Sequence, residues 1–174
     1  MALAVCLLFD QPSERALRGL WSRLEEFGVA TLQTHTHGRH HPHLSYVVLL
    51  DWDLDAVRAA VEALPDGGSM ELTFDALAAF PRGRISLVPL MSAELLARQR
   101  AVVRAVSATG ANVYRHYAVD RWLPHTSVAT RATTSQLPTV ASSVYDILPL
   151  TVRVSRAALI DSSTGQRWSL PSLP

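Results

Sequence analysis

The four residues Pro-His-x-Ser occur twice in this chain of 174 residues. The first copy spans residues 42–45 and the second spans 124–127, and each leads directly into an apolar run. Proline is tolerated at the first residue of a strand, so both copies predict a strand that begins at the motif. Side chains two apart on a strand share a face, which places each histidine beside the serine of its own motif.

Two histidine-serine pairs that face one cleft can carry out acid-base chemistry. The imidazoles would supply a general base and a general acid, and the hydroxyls would donate hydrogen bonds to an anion. We therefore predict that His43, Ser45, His125 and Ser127 form a catalytic site. The alternative is two edge strands with incidental surface histidines, because short motifs also match by chance.

The motifs occupy equivalent places in a longer internal repeat. Each motif strand is followed by a helix candidate and then by two strand candidates. The segments after the first motif are 54–64, 70–80 and 85–89, and those after the second are 134–145, 150–160 and 166–170. The order strand, helix, strand, strand therefore occurs twice, which predicts an α+β fold with an internal repeat. Two further helix candidates precede the motifs, one opened by Asp10 and closed by Gly28 and one at 92–108.

The paired motifs resemble those of the two-histidine (2H) phosphoesterase superfamily, which includes 2′-5′ RNA ligases and RNA 2′,3′-cyclic phosphodiesterases. The resemblance covers nearly the whole chain and carries His43, Ser45, His125 and Ser127 over onto the family's His-x-Ser/Thr positions. It implies two similar lobes with mainly antiparallel sheets around a central cleft that holds the active site. The sequence departs from the best-known RNA cyclic phosphodiesterases at 46–48, where Tyr-Val-Val replaces their Thr-Leu and Phe-Leu-Gly pattern. Both hydroxyl positions are serine, where threonine is commoner, so the substrate stays open.

The resemblance implies a phosphoesterase that needs no metal and no cofactor. Its substrate would be a 2′,3′-cyclic phosphate or a 2′-5′ phosphodiester of a nucleotide or an RNA end, and ligation would be the reverse reaction. One neutral and one charged imidazole suit this chemistry, but the sequence does not assign the acid and the base. Two other functions stay open: a non-catalytic module that binds a phosphorylated ligand or nucleotide, and a histidine-rich metalloprotein.

Several residues near the motifs are candidates for substrate binding. Arg39 and Arg121 flank the motifs and could contact phosphate, since the guanidinium group suits bidentate phosphate contacts. Tyr117 and Trp122 precede the second motif and could stack a nucleobase. For each arginine the alternative is a solvated loop position, and for each aromatic ring it is core packing.

Five histidines fall within residues 35–43, which raises the question of a metal site. Imidazoles bind zinc or nickel, but this segment has no Cys partner and no nearby carboxylate on a regular face. Arg39 lies in its middle and would oppose a cation. We therefore predict no dedicated metal site.

The composition favours one domain, residues 1–174, in which a small phosphorylated ligand or an RNA terminus would need only a local positive pocket. The net charge is +1, whereas duplex DNA binding requires a broad basic surface. Cys6 is the only cysteine, so no disulfide can form within the chain, and it lies in a segment too short to span a bilayer. That segment also lacks the features of a signal peptide. We expect a cytoplasmic monomer without membrane contact.

Overall fold

The computed structural model of the protein describes residues 2–174. This part of the chain forms eight strands and four helices, which confirms the α+β class. The strands are β1 (Leu3–Phe9), β2 (His43–Asp51), β3 (Met70–Phe80), β4 (Arg84–Pro89), β5 (Asn112–Val113), β6 (Thr126–Ala129), β7 (Leu150–Asp161) and β8 (Arg167–Ser169). The helices are α1 (Gln11–Glu26), α2 (Leu54–Glu62), α3 (Ala93–Ala108) and α4 (Leu137–Tyr145). Short 3₁₀ turns lie at Pro81–Gly83, Arg115–Tyr117 and Thr134–Gln136.

Three of the helices begin at a side-chain cap. The side chains of Asp10, Asp53 and Ser92 each accept a hydrogen bond from the backbone N–H three residues later, at 3.0, 2.8 and 3.1 Å. These caps satisfy donors that a helix leaves unpaired at its start. Gly28 adopts a φ of +72° just after α1, which ends the helix as predicted. Within residues 2–174 no helix is both long and apolar enough to cross a membrane.

All eight strands belong to one antiparallel sheet. The order is β5-β2-β1-β7-β3-β4-β6, and β8 pairs with β7 beside this path. Strand β7 pairs with β3 through Leu150–Val154 and with β1 through Val154–Asp161. It therefore lies at the centre of the sheet and connects the two halves.

The strand order is symmetrical about the contact between β7 and β3. From β2 to β6 the order reads β2-β1-β7-β3-β4-β6. If β1 is exchanged with β4, β2 with β6 and β3 with β7, the same order is obtained, read backwards. The helix contacts follow the same exchange, because α1 contacts α4 and α3 contacts α2. The predicted strand, helix, strand, strand order is present from each motif onward. The symmetrical unit, however, begins one strand earlier. The first unit runs from β1 through α1, β2 and α2 to β3, and the second runs from β4 through α3, β6 and α4 to β7. The last strand of each unit pairs with the first strand of the other unit, β3 with β4 and β7 with β1.

The first helix of each unit is anchored on the motif strand of the other unit. Trp21 of α1 donates its indole N–H to the carbonyl of Ser127 at 3.0 Å. Gln99 of α3 donates its side-chain amide to the carbonyls of Tyr46, at 3.3 Å, and Tyr117, at 2.9 Å. Trp21 and Gln99 are buried, so losing either side chain would leave a carbonyl without its donor, at a cost of about 1–3 kcal/mol.

The turn between β3 and β4 closely contacts the chain that leaves β6. Gly83 has a φ of +71°, and a Cβ atom on it would lie 2.2 Å from the backbone oxygen of Ala132. The backbone N–H of Ala132 donates to the carbonyl of Gly83 at 2.8 Å. The absent side chain of Gly83 is what allows this approach.

We expect Gly83→Ala to destabilise the fold more than Gly68→Ala. Gly68 has a φ of +70° but open space around its Cβ position, so its variant carries only the conformational cost, about 1–2 kcal/mol. Gly83→Ala adds overpacking against Ala132, worth about 1–3 kcal/mol more. Urea unfolding of both variants measures the difference, and equal losses would show that Ala132 moves aside at no cost.

Candidate active site

Strand β2 presents His43 and Ser45 on one face, as their spacing of two residues predicts, and a β-bulge follows at Tyr46. The pairing of β2 with β1 passes from Val47 to Ser45 and leaves Tyr46 as the extra residue. Tyr46 and Val47 are consecutive and both are fully buried. His43 and Ser45 are partly exposed on the opposite face. The bulge thus keeps the apolar residues in the core while the first motif faces outward.

The second motif is built in a similar way at the other end of the sheet. His125 directly precedes β6, and Ser127 lies within it opposite Ser86 of β4. His125 and Ser127 are partly exposed, whereas Thr126 and Val128 between and beyond them are buried. This alternation places His125 and Ser127 on one face, as it does for the first motif.

Two side-chain hydrogen bonds join the motif strands, although four strands separate β2 from β6 in the sheet. Thr126 Oγ1 donates to the carbonyl of His43 at 3.0 Å. Trp122 Nε1 donates to the carbonyl of Ser45 at 3.1 Å. Bonds this short require the sheet to curl until its two ends meet. The curl brings the two motifs together, close enough for the charge of His125 to act on His43.

Both motif histidines are held by the same kind of backbone contact. His43 Nδ1 lies 2.7 Å from the carbonyl oxygen of His41, and His125 Nδ1 lies 2.8 Å from that of Leu123. A carbonyl oxygen can only accept, so each Nδ1 carries a proton and donates it. In the neutral ring the lone pair is then on Nε2. Each motif therefore offers an Nε2 atom that can accept a proton.

The pKa values of both motif histidines are lowered from the usual 6.5, mainly because burial disfavours the charged ring. The bonds to the carbonyls of His41 and Leu123 act in the opposite direction but are weaker. The charge of His125 lowers the pKa of His43 further, and the charge of Arg84 lowers that of His125. In the free protein both imidazoles are therefore predominantly neutral at pH 7.

Cys6 lies against the serine of the first motif. Its sulfur atom is 3.4 Å from the hydroxyl oxygen of Ser45. Cys6 is fully buried, and burial raises the pKa of its thiol to about 12, with the bond to Ser45 acting weakly against it. The thiol therefore stays protonated and helps to orient the hydroxyl of Ser45 rather than acting as a nucleophile.

The surroundings of His125 include Phe80 and Arg84, which the sequence did not single out. The ring of Phe80 lies 5.3 Å from that of His125, and the ring of Tyr117 lies 6.4 Å away. Arg84 pairs with Phe80 across the β3–β4 hairpin, and its charge acts on both His125 and Tyr117. Phe80 and Arg84 are distant from the second motif in sequence, so only the pairing of β4 with β6 brings them close.

The four residues predicted to bind substrate lie in different environments. Arg39 lines a cavity of about 310 Å³ together with His43 and other histidines. Tyr117 is partly buried beside His125. Trp122 is only 8% exposed and supports the first motif through its bond to the backbone. Arg121 is exposed, and within residues 2–174 its side chain forms no hydrogen bond or ion pair. The binding roles of all four stay predictions.

The histidine-dense segment packs onto the turn between β7 and β8. The rings of His37 and His40 lie 4.2 Å apart, and burial lowers the pKa of His40 to about 4. A Cβ atom on Gly165 would lie 2.5 Å from the ring of His37, so glycine leaves space for this ring. Among residues 2–174 no group of three His, Cys, Asp or Glu side chains is arranged to hold a metal ion.

Glu14 of α1 supports the backbone that holds His43. Its carboxylate accepts hydrogen bonds from Arg18 Nε and His41 Nδ1, both at 2.8 Å, and lies 3.6 Å from Arg156. Burial opposes the charge on Glu14, but the bonds from His41 and Arg18 outweigh it and hold its pKa below the usual value. His41 is thus fixed on both sides, since its own carbonyl accepts from His43.

Several solved structures share this fold over almost the whole chain. E. coli LigT matches with a TM-score of 0.63 and 12% identity, covering 97% of this chain and 96% of that chain. Kluyveromyces marxianus Usb1 matches with a TM-score of 0.52 and 14% identity, covering 98% and 97%. A protein described as a phosphoesterase matches with a TM-score of 0.61 and 13% identity, covering 97% of each chain. At such identities the likeness establishes the fold alone. No curated protein matches the sequence.

The fold and the paired motifs together define a two-histidine phosphoesterase architecture. The family model of the 2′-5′ RNA ligase superfamily matches residues 11–166, which is most of the chain. The chain belongs to the 2′-5′ RNA ligase superfamily. The resemblance inferred from the two motifs is confirmed.

The lowered pKa values of His43 and His125 make stability depend on pH. In the unfolded chain both groups titrate near 6.5, so just below this pH the unfolded chain binds more protons than the folded one. The free energy of unfolding must then fall as the pH drops from 6.5 towards about 5. We expect the double variant His43→Gln, His125→Gln to show a shallower slope in urea unfolding over this range. A wild-type protein that becomes more stable on acidification here would contradict the assignment.

Proposed function

We propose that the protein is a metal-independent phosphoesterase acting at a nucleotide or an RNA end. Its reaction is hydrolysis of a 2′,3′-cyclic phosphate or of a 2′-5′ phosphodiester. The observation that carries this proposal is that His43 and His125 each hold Nδ1 against a backbone carbonyl, at two motifs that side-chain hydrogen bonds join. Two Nε2 atoms so arranged supply both a base and an acid for phosphoryl transfer.

The two histidines divide the proton transfers between them. One neutral Nε2 takes a proton from the attacking water, whose oxygen bonds to phosphorus. The other ring, protonated, gives its proton to the ribose oxygen as the P–O bond breaks. Both rings are neutral in the free protein, so one gains its proton when the phosphate anion binds and raises its pKa. When the hydroxyl of a second RNA end replaces water as the nucleophile, the same two proton transfers open the cyclic phosphate and join the two ends. In the reverse of that reaction the roles of the histidines exchange.

The two motif serines act on the charge of the phosphate. Ser45 and Ser127 lie on the same faces as their histidines, and their hydroxyls can donate to the two non-bridging oxygens. Cys6 restrains the hydroxyl of Ser45 at 3.4 Å. Donors held in advance need little reorganisation when charge builds up in the transition state.

A nucleotide ligand is supported by the solved relatives. E. coli LigT has been solved with 3′-AMP and with NADP+, and Kluyveromyces marxianus Usb1 with uridine monophosphate. In this chain Tyr117, next to His125, and Trp122 are the proposed aromatic contacts for a base, with Tyr117 the more exposed of the two. Arg39, which lines the cavity of His43, and Arg121 are the proposed phosphate contacts.

We expect turnover of nucleoside 2′,3′-cyclic phosphates or a 2′-5′ dinucleotide to persist in EDTA and to depend on both histidines. His43→Ala and His125→Ala should each lose about 10²- to 10⁴-fold in kcat, the usual contribution of a positioned acid or base. His116→Ala is the matched control, because this exposed histidine lies outside both motifs. Chromatography of the products measures the rate and identifies which P–O bond breaks.

Unchanged turnover in either motif variant would refute the two-histidine mechanism. Saturable binding of 3′-AMP without turnover of any substrate would instead favour the non-catalytic binding module. Loss of activity in EDTA, restored by a divalent metal, would favour a metal-dependent enzyme.

A further inference from the structure

The face of the sheet that carries His43 continues towards an arginine two strands away. Leu8 of β1 pairs with His43 on one side and with Arg156 of β7 on the other. Directly opposed residues on antiparallel strands share a face, so Arg156 lies on the face of His43. Two strand spacings, about 10 Å, separate their backbones.

Strand β8 adds another arginine to this face. Arg167 pairs with Ile160 of β7, and both line the cavity that contains His43 and Arg39. Arg167 also lines a second cavity of about 440 Å³ that contains Arg153 and Arg156. The two cavities therefore meet at Arg167, and the second is large enough for part of a small ligand.

The second cavity is strongly positive for a chain of net charge +1. Three arginines line it beside a single carboxylate, Asp66, which already accepts the backbone N–H groups of Gly68 and Leu173. The side chain of Arg153 forms one hydrogen bond, with the hydroxyl of Ser69 at 3.2 Å, and no ion pair within residues 2–174, although Glu71 lies directly opposite it on β3 and the charge of Arg153 lowers the pKa of Asp10.

Neither of the other two arginines is neutralised by a close contact. The guanidinium of Arg156 donates to the carbonyl of Phe9, and its ion pair with Glu14 is long, at 3.6 Å. Arg167 forms no side-chain hydrogen bond or ion pair within the described part of the chain. The cavity thus combines space with guanidinium groups that can still bind an anion.

We propose that this second cavity is a subsite for a second phosphate group of the substrate, bound by Arg153 and Arg167. The inference rests on the proposed function, because the first phosphate is the one at which the motif histidines transfer protons. One nucleoside would have to bridge the separation between His43 and Arg167, the arginine that lines both cavities. The second phosphate is either a 5′-phosphomonoester on the same nucleoside or the next phosphodiester of an oligonucleotide.

Three substrates separate these cases. The first is a nucleoside 2′,3′-cyclic phosphate, the second is the same compound with a 5′-phosphate, and the third is a dinucleotide that ends in a 2′,3′-cyclic phosphate. We expect kcat/KM to be about 10-fold or more higher for at least one of the two substrates with a second phosphate, as one charge-assisted hydrogen bond provides. The preferred one of the two identifies the source of the phosphate.

Arg153→Gln tests the subsite because Arg153 lines the second cavity and not the cavity of His43. We expect it to remove about 10-fold in kcat/KM for the preferred two-phosphate substrate and to leave the simple cyclic phosphate unchanged. Arg153→Lys, which keeps the charge, should recover part of the loss. Arg104→Gln on α3 is the matched control, since Arg104 is exposed and lines neither cavity.

The preference should also weaken as salt concentration rises, and less steeply in Arg153→Gln than in the wild type. Equal kcat/KM for all three substrates would overturn the subsite and leave the proposed function standing. A loss in Arg153→Gln that is the same for all three would also overturn it. Turnover of none of the three would overturn the subsite and the cyclic-phosphate reaction, and the 2′-5′ dinucleotide would then decide the rest of the proposed function.

Discussion

The hydrogen bond from Thr126 Oγ1 to the carbonyl of His43 holds the two motifs together, and the remaining geometry of the site depends on that bond. Together with the bond from Trp122 to Ser45, it ties the backbone of the first motif to side chains of the second. Thr126 and Trp122 are buried, so these bonds lie where water cannot replace them. Whatever separates the strands β2 and β6 also separates the two histidines. Fold stability and the integrity of the candidate site therefore share the same contacts.

Each unit pairs its last strand with the first strand of the other unit, and this pairing makes the cleft stiff. Strand β7 runs from one half of the sheet into the other, and the helices α1 and α3 are each anchored on the motif strand of the opposite unit. A hinge between the halves would have to bend a continuous strand and break these anchors. The site is thus formed before a ligand arrives, which is the usual condition of small-molecule sites. Held in this way, the Nε2 atoms of His43 and His125 need little movement to accept or donate a proton.

The motifs, the element order and the fold class could be predicted because their signals are local. A proline before each His-x-Ser, alternation along the strand and helix caps such as Asp10 all act over a few residues. The bulge at Tyr46, the pairing of β4 with β6 and the position of Arg84 could not, because they depend on which strands meet. Trp122 illustrates the same difference. Its aromatic character suggests base stacking, whereas its burial and its bond to Ser45 depend on contacts across the cleft.

The central position of β7 has a consequence for the order in which the chain assembles. Strand β1 is made before one of its two neighbours, residues 154–161, because strands β2 to β6 lie between them in the chain. Until then β1 and β2 can form only a small antiparallel sheet with an open apolar edge, the kind of edge that recruits other chains. Long-range pairing of this kind also slows folding. The pairing that stiffens the finished fold therefore leaves the nascent chain vulnerable to aggregation until β7 has been made.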